Sequence, residues 1–139
     1  VGVEAQAVSF ALLERNIAHN RLGDRIKVHH GDLRDASTVD ALGGPFDLVT
    51  GTPPYFPVTT ASDALDTQRA YARIEYRGGI EAYVEAAAKV VSNDGWVVLC
   101  GDADAVPQME ELITQLRRDG SSCGARLSVY AHNVHKVLK

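Results

Sequence analysis

The stretch FDLVTGTPPYFP, Phe46 to Pro57, decides the fold. Its first residues, Phe46 to Thr50, form a short apolar run after Gly43-Gly44-Pro45, the pattern of a strand entered from a turn. The end of that strand is unusual: Thr52-Pro53-Pro54-Tyr55 sets a hydroxyl, two successive prolines and an aromatic ring there. Proline fixes φ, donates no backbone hydrogen bond and drives the preceding residue toward extended geometry, so Thr52 and Pro53 are both stiffened. Rigid backbone at a strand end presents a chemical group at a fixed position.

On either side of this stretch, helical and strand periods alternate. Ala5 to Arg21 is rich in helix formers, with Val8, Leu12, Leu13 and Ile17 near one face and Gly23 placed to end it. Val1 to Val3 and Ile26 to His30 read as strands, the second leading into GDLRD. Ile80 to Val91 reads as a helix closed by Asn93-Asp94-Gly95. The adjoining WVVLC, Trp96 to Cys100, is apolar throughout, as a strand covered on both faces would be, with Trp96 in the core. Val106 to Asp119 returns to helix and Leu127 to Ala131 to strand. Strands separated by helices of this length imply an α/β fold with a parallel sheet built from right-handed crossovers.

Composition narrows the function classes. A chain of 139 residues with 45% apolar content reads as one domain, able to bury roughly 68% of its unfolded surface. Its longest apolar run falls far short of the roughly 20 residues needed to cross a bilayer, and the first residues lack a signal-peptide pattern, so the expectation is a cytoplasmic protein without a membrane partner. Cys100 and Cys123 stand apart from any C-x-x-C or His/Cys cluster, and the five histidines show no ligand spacing, so neither a disulfide nor a metal site is expected. The formal net charge of −4 gives no general attraction to polyanions, and contact with nucleic acid must come from a local basic patch.

In open parallel sheets, ligands sit beyond the carboxyl ends of the strands. Glu4, Asp32 and the Thr52 to Tyr55 turn each come after a strand, which marks them as the residues that would line one crevice. Their ordinary structural alternatives are a carboxylate at a helix N-terminus for Glu4 and a turn or capping residue before Ala36 for Asp32.

Taken together, VGVE, NIAHNRLGDRIKVHHGDLRD and FDLVTGTPPYF resemble the S-adenosylmethionine-dependent methyltransferases that carry an Asn/Asp-Pro-Pro-Tyr motif, nearest to the methyltransferase small domain and tRNA adenine-N6-methyltransferase group. The resemblance runs from Val1 to about Gly101. It implies a Rossmann-like sheet, mostly parallel, with helices on both faces. It also implies S-adenosylmethionine as cofactor: Glu4 would accept hydrogen bonds from both ribose hydroxyls, Asp32 would accept from the adenine amino group, and the Leu33 backbone N–H would meet a ring nitrogen.

The same resemblance assigns catalysis to Thr52, Pro53, Pro54 and Tyr55. An exocyclic amine is a poor nucleophile because its lone pair is delocalised into the ring. Acceptors at the side chain of residue 52 and the carbonyl of Pro53 would hold its two N–H groups and stabilise the positive charge developing on nitrogen. Tyr55 would stack on a target base that is single-stranded or flipped from its helix. Position 52 is usually Asn, Asp or Ser in the family and is Thr here. None of the twelve glycines forms the strand-Gly-x-Gly loop that should precede Glu4, so the sequence reads as a partial methyltransferase domain beginning at the family's second strand.

The expected substrate is adenine N6 in tRNA. A protein glutamine amide, guanine N2, or a non-catalytic binding or scaffold role are the alternatives. Arg69, Arg73 and Arg77 recur every four residues, so on one helix they would form a basic stripe for RNA phosphates, with Glu75 and Glu81 balancing them on the alternative reading of a solvated face. Tyr71, Tyr76 and Tyr83 read as packing residues.

Overall fold

The computed structural model describes residues 1–54, 56, 67–101 and 106–118, the side chains of 67–69, 106 and 116–118 excepted. The chain divides into two compact units, Val1–Pro45 and Phe46–Lys139.

In the first unit, strand β1 (Gly2–Glu4) runs parallel to β2 (Val28–His30), joined by helix α1 (Ala7–His19) and followed by α2 (Ala36–Ala41). Gly2 pairs with Val28, Val3 with His29 and Glu4 with His30, and the ladder continues through Gly31 N–H to the Glu4 carbonyl at 3.1 Å. The helix begins where Gln6 holds extended backbone and its carbonyl accepts from Phe10 N–H at 2.8 Å. It turns Phe10, Leu13 and Ile17 inward, while Val8 and Leu12 are 56% and 52% exposed, so the apolar face expected from the sequence is split. The inward set has the i, i+3, i+7 spacing of a single stripe; Val8 and Leu12 lie beside it.

The end of α1 also departs from the sequence reading. Arg21, not Gly23, takes the left-handed conformation, with φ 56°. Arg21 N–H donates to the Ala18 carbonyl and Leu22 N–H to the Ile17 carbonyl, the paired 5→2 and 6→1 bonds that satisfy the last orphan carbonyls of a helix. Closing these bonds offsets the modest cost of a side chain at positive φ. The unit ends at Gly43 and Gly44, both at positive φ, where a side chain would be strained.

In the second unit, β3 (Phe46–Gly51) runs parallel to β4 (Val91–Leu99), with α3 (Thr67–Arg73) and α4 (Ile80–Val90) between them and α5 (Val106–Arg118) after. Helix α4 carries Ile80, Val84, Ala87 and Val90 buried along one stripe, packs on both strands, and also packs on α5. It passes directly into β4 at Val91, whose backbone is already extended.

Asn93-Asp94-Gly95 therefore does not close the helix. Between Phe46↔Val91 and Leu48↔Trp96, β3 advances two residues (46 to 48) and β4 five (91 to 96), so the turn-forming triplet is absorbed as an irregularity inside β4. A Cβ at Gly95 would lie 2.8 Å from the Phe46 carbonyl oxygen, and glycine is what lets the two backbones approach there.

Strand alternation then assigns the faces. Val49, Gly51, Val97 and Leu99 share the half-buried side on which α4 lies, and Leu48, Trp96 and Val98 are 58%, 61% and 52% exposed on the other. Trp96 is thus not a core residue, and Trp96 to Leu99 is not covered on both sides among the described residues. An all-apolar run carries no alternation from which the covered side could be read. Cys100 falls one residue past β4 and is an exposed free thiol. The mixed α/β architecture with parallel strand pairs and right-sized connecting helices agrees with the Rossmann-like expectation. No helix among the described residues is long and apolar enough to cross a membrane. The strand expected at 127–131 lies outside the described residues.

Candidate active site

In the first unit, Glu4 and Asp32 come together at the carboxyl ends of adjacent parallel strands. Glu4 is the last residue of β1, half-buried, and its Oε1 accepts the backbone N–H of Gln6 at 2.7 Å. This bond turns the chain from the strand into α1 and fixes one carboxylate oxygen. Across the ladder, the His30 ring stacks on Phe10 of α1 with centroids 4.9 Å apart and planes inclined by 21°, clamping the helix to the same strand ends.

Asp32 lies two residues past β2. Its Oδ1 accepts the backbone N–H of Arg34 at 3.0 Å, and its carbonyl accepts from Asp35 N–H at 3.0 Å. Both are turn contacts, so the turn role that the sequence allows is present. The Arg34 guanidinium closes on the same carboxylate through Nε to Oδ1 at 2.9 Å and Nη2 to Oδ2 at 2.7 Å. That hydrogen bond raises the Arg34 pKa above its ordinary value, against an opposing desolvation, and the charges of Asp32 and Asp35 add smaller upward contributions. In this forked pair both oxygens of the Asp32 carboxylate act as acceptors. The Asp-x-Arg spacing was the available signal for this partner, and sequence reasoning missed it. Leu33 is half-buried between the two paired residues. Gly31 leaves room for α2: a Cβ there would lie 2.5 Å from Thr38 Oγ1.

In the second unit, Thr52, Pro53 and Pro54 come directly after β3. Thr52 is exposed, Pro53 is fully buried, and Pro54 is buried beside it. The prolines are therefore anchored by packing as well as by their rings, and the hydroxyl at residue 52 is left at the surface. Upstream, the Gly51 carbonyl accepts from Cys100 N–H at 3.1 Å, extending the ladder to the edge of the turn. Downstream, Phe56 forms a parallel bridge with Ile74: its N–H donates to the Arg73 carbonyl at 3.0 Å and its carbonyl accepts from Glu75 N–H at 3.1 Å. Tyr55 itself lies outside the described residues.

The arginine stripe does not form as expected. Arg69 and Arg73 belong to α3, but the helix ends at Arg73, and Arg77 comes later in a turn with Gly78 at φ 84°. The repeat ends at Ile74: its N–H still donates to the Ala70 carbonyl at 2.8 Å, but the flanking Arg73 carbonyl and Glu75 N–H are bonded to Phe56 instead of continuing the helix. The Arg69 side chain lies outside the described residues. Arg73 instead sits over the Phe56 ring, 5.5 Å from its centroid, and Arg77 over Tyr71 at 4.7 Å.

No family model matches the chain. Among curated proteins it is similar to the tRNA1(Val) (adenine(37)-N6)-methyltransferase of Porphyromonas gingivalis strain W83, with 28% identity over 109 residues, 78% of this chain and 42% of the relative. The same enzyme from strain ATCC 33277 matches with the same identity and coverage. It is also similar to the release factor glutamine methyltransferase of Chlorobaculum tepidum, 42% identical over 55 residues, 40% of this chain and 18% of the relative. The chain thus spans about two fifths of the tRNA methyltransferases it matches. These relatives share a reaction type, methyl transfer, and differ in the acceptor that their names give.

Proposed function

We propose that the two units belong to one methyltransferase domain of an S-adenosylmethionine-dependent enzyme that methylates an exocyclic amino nitrogen, with adenine N6 of tRNA as its substrate. The observation that carries this reading is that all three groups picked out in the sequence stand at or just past the carboxyl ends of parallel strands: Glu4 as the last residue of β1, Asp32 two residues after β2, and Thr52 to Pro54 directly after β3.

The donor set suits the cofactor. A half-buried carboxylate with one oxygen fixed by Gln6 N–H still offers acceptor capacity for a ribose diol, and the acceptor oxygens of Asp32 suit an adenine amino group. Glu4, Asp32 and the Leu33 N–H would hold S-adenosylmethionine, which when bound supplies an electrophilic methyl group. The rest of the chemistry belongs to the turn. Thr52 Oγ1 and the Pro53 carbonyl accept the two N–H groups of the substrate amine, which orients its lone pair and stabilises positive charge on nitrogen. Tyr55 stacks on the target base. No base is needed before attack, since the proton leaves once the nitrogen is cationic.

The similarity to a release factor glutamine methyltransferase supports a second reading, in which the same acceptors hold a side-chain amide. Single-turnover transfer of radiolabelled methyl to tRNA and to a glutamine peptide decides between them. Thr52→Asn is expected to retain or raise transfer by lengthening the acceptor. Tyr55→Ala is expected to reduce transfer to RNA by about 5- to 150-fold, from a stacking contribution of ~1–3 kcal/mol. Equal rates for Tyr55→Ala and the parent would remove the stacking role.

A further inference from the structure

Beside the Pro-Pro turn, the second unit displays an aromatic and cationic surface of its own. Tyr71 and Tyr76 are 42% and 45% exposed, and their rings meet edge to face with centroids 5.5 Å apart. The Arg77 guanidinium lies over Tyr71. Arg73 lies over Phe56, whose backbone is bonded to the residues flanking Ile74. Among the described residues neither arginine forms an ion pair. The carboxylates of Glu75 and Glu81 lie against Gly79, where a Cβ would be 2.6 Å from Glu75 Oε1 and 3.0 Å from Glu81 Oε2.

We propose that Tyr71, Tyr76, Arg73 and Arg77 form a stacking platform for single-stranded RNA nucleotides flanking the methylated base. The platform rests on the reading of RNA as substrate and extends it to a second contact region. Exposed tyrosine rings and guanidinium planes offer flat, sequence-tolerant surfaces to unpaired bases, and two cations without carboxylate partners among the described residues meet the phosphates between those bases. A duplex keeps its bases stacked on one another and has no free face to offer. The platform therefore selects loops over helices, in addition to the basic charge expected from the sequence.

The chemistry separates stacking from simple charge. Arg77→Lys keeps the cation and removes the plane, and Tyr71→Leu keeps apolar bulk and removes the ring. Binding of the full chain to a fluorescein-labelled oligoadenylate and to a duplex of equal length is measured by anisotropy without cofactor, so that it does not depend on methyl transfer. The parent is expected to prefer the single strand. Each of Arg77→Lys and Tyr71→Leu is expected to weaken single-strand binding about fivefold or more, with the salt dependence retained in Arg77→Lys. An aminopurine base in the oligonucleotide is expected to change its emission on binding the parent and less on binding the variants.

Unchanged affinity in Arg77→Lys, which leaves the Tyr71–Tyr76 contact intact, overturns the platform even if Tyr71→Leu fails to fold. So does equal binding of duplex and single strand, or binding of a glutamine peptide with none of RNA. Loss of RNA binding in the variants upholds the platform whether or not the protein transfers a methyl group, so the two readings fail separately.

Discussion

Glu4→Ala is expected to weaken binding of S-adenosylmethionine by about two to four orders of magnitude. Hydrogen bonds to a charged group contribute about 1.5–3 kcal/mol each, and the ribose diol would lose two of them. The same carboxylate holds Gln6 N–H at the start of α1, so alanine also leaves a helix-terminal donor without its partner. Glu4→Gln separates the two roles. Its amide oxygen can still accept from Gln6, so stability is retained, while the loss of charge and of one acceptor oxygen is expected to lower cofactor affinity by about tenfold or more. Calorimetric titration with the cofactor product, S-adenosylhomocysteine, alongside thermal melts, tests both variants. A folded Glu4→Ala protein that binds with parental affinity would show that Glu4 serves only the helix.

The second large effect is on stability. Gly51 closes β3 immediately before Thr52, and a Cβ there would lie 2.8 Å from Tyr83 Cδ1 and 3.0 Å from Leu99 Cδ2. The Leu99 methyl can rotate away, but the Tyr83 ring sits on α4 with its Cε1 also only 3.2 Å distant. Gly51→Val is expected to force the ring aside at a cost of about 1–3 kcal/mol, lowering Tm by about 5–10 °C. In a Tyr83→Ala background the same substitution should cost much less, because its obstacle is gone. Additive losses in the two single variants and the double variant would refute this account. On the proposed function, methyl transfer is expected to fall with it, since displacement of Gly51 moves the Thr52 hydroxyl next to it in the chain.

The sequence makes the residues of the candidate site more legible than the packing around them. Glu4, Asp32 and Thr52 can be found because each stands at a change of period, where an apolar run meets a polar or proline-bearing residue. That signal is local. Trp96 escapes it because WVVL has no alternation, and the side that α4 covers is fixed by Tyr83 meeting Gly51, a contact between distant parts of the chain. Val8 and Leu12 depart from expectation for a related reason: both fit a helical stripe, but Phe10 joins Leu13 and Ile17 inside through its stack on His30. The arginine repeat needs one helix through residue 77, and the Phe56–Ile74 bridge interrupts it. Positive φ at Arg21 is hidden by the nearby glycine, which is the more usual residue at a helix end.

That bridge also bears on how such a protein can diversify. Phe56 is bonded through both its N–H and its carbonyl to the backbone on either side of Ile74, so the chain leaves and re-enters at one pinned point beside the Pro-Pro turn. The entropy of closing a segment grows only slowly with its length, about 0.6 kcal/mol for each doubling. Residues inserted between Phe56 and Thr67 would enlarge the closed segment without drawing on the ladder that fixes Thr52. Changes in chain length there would thus leave Thr52 and Pro53 where β3 sets them, whatever the inserted residues contribute.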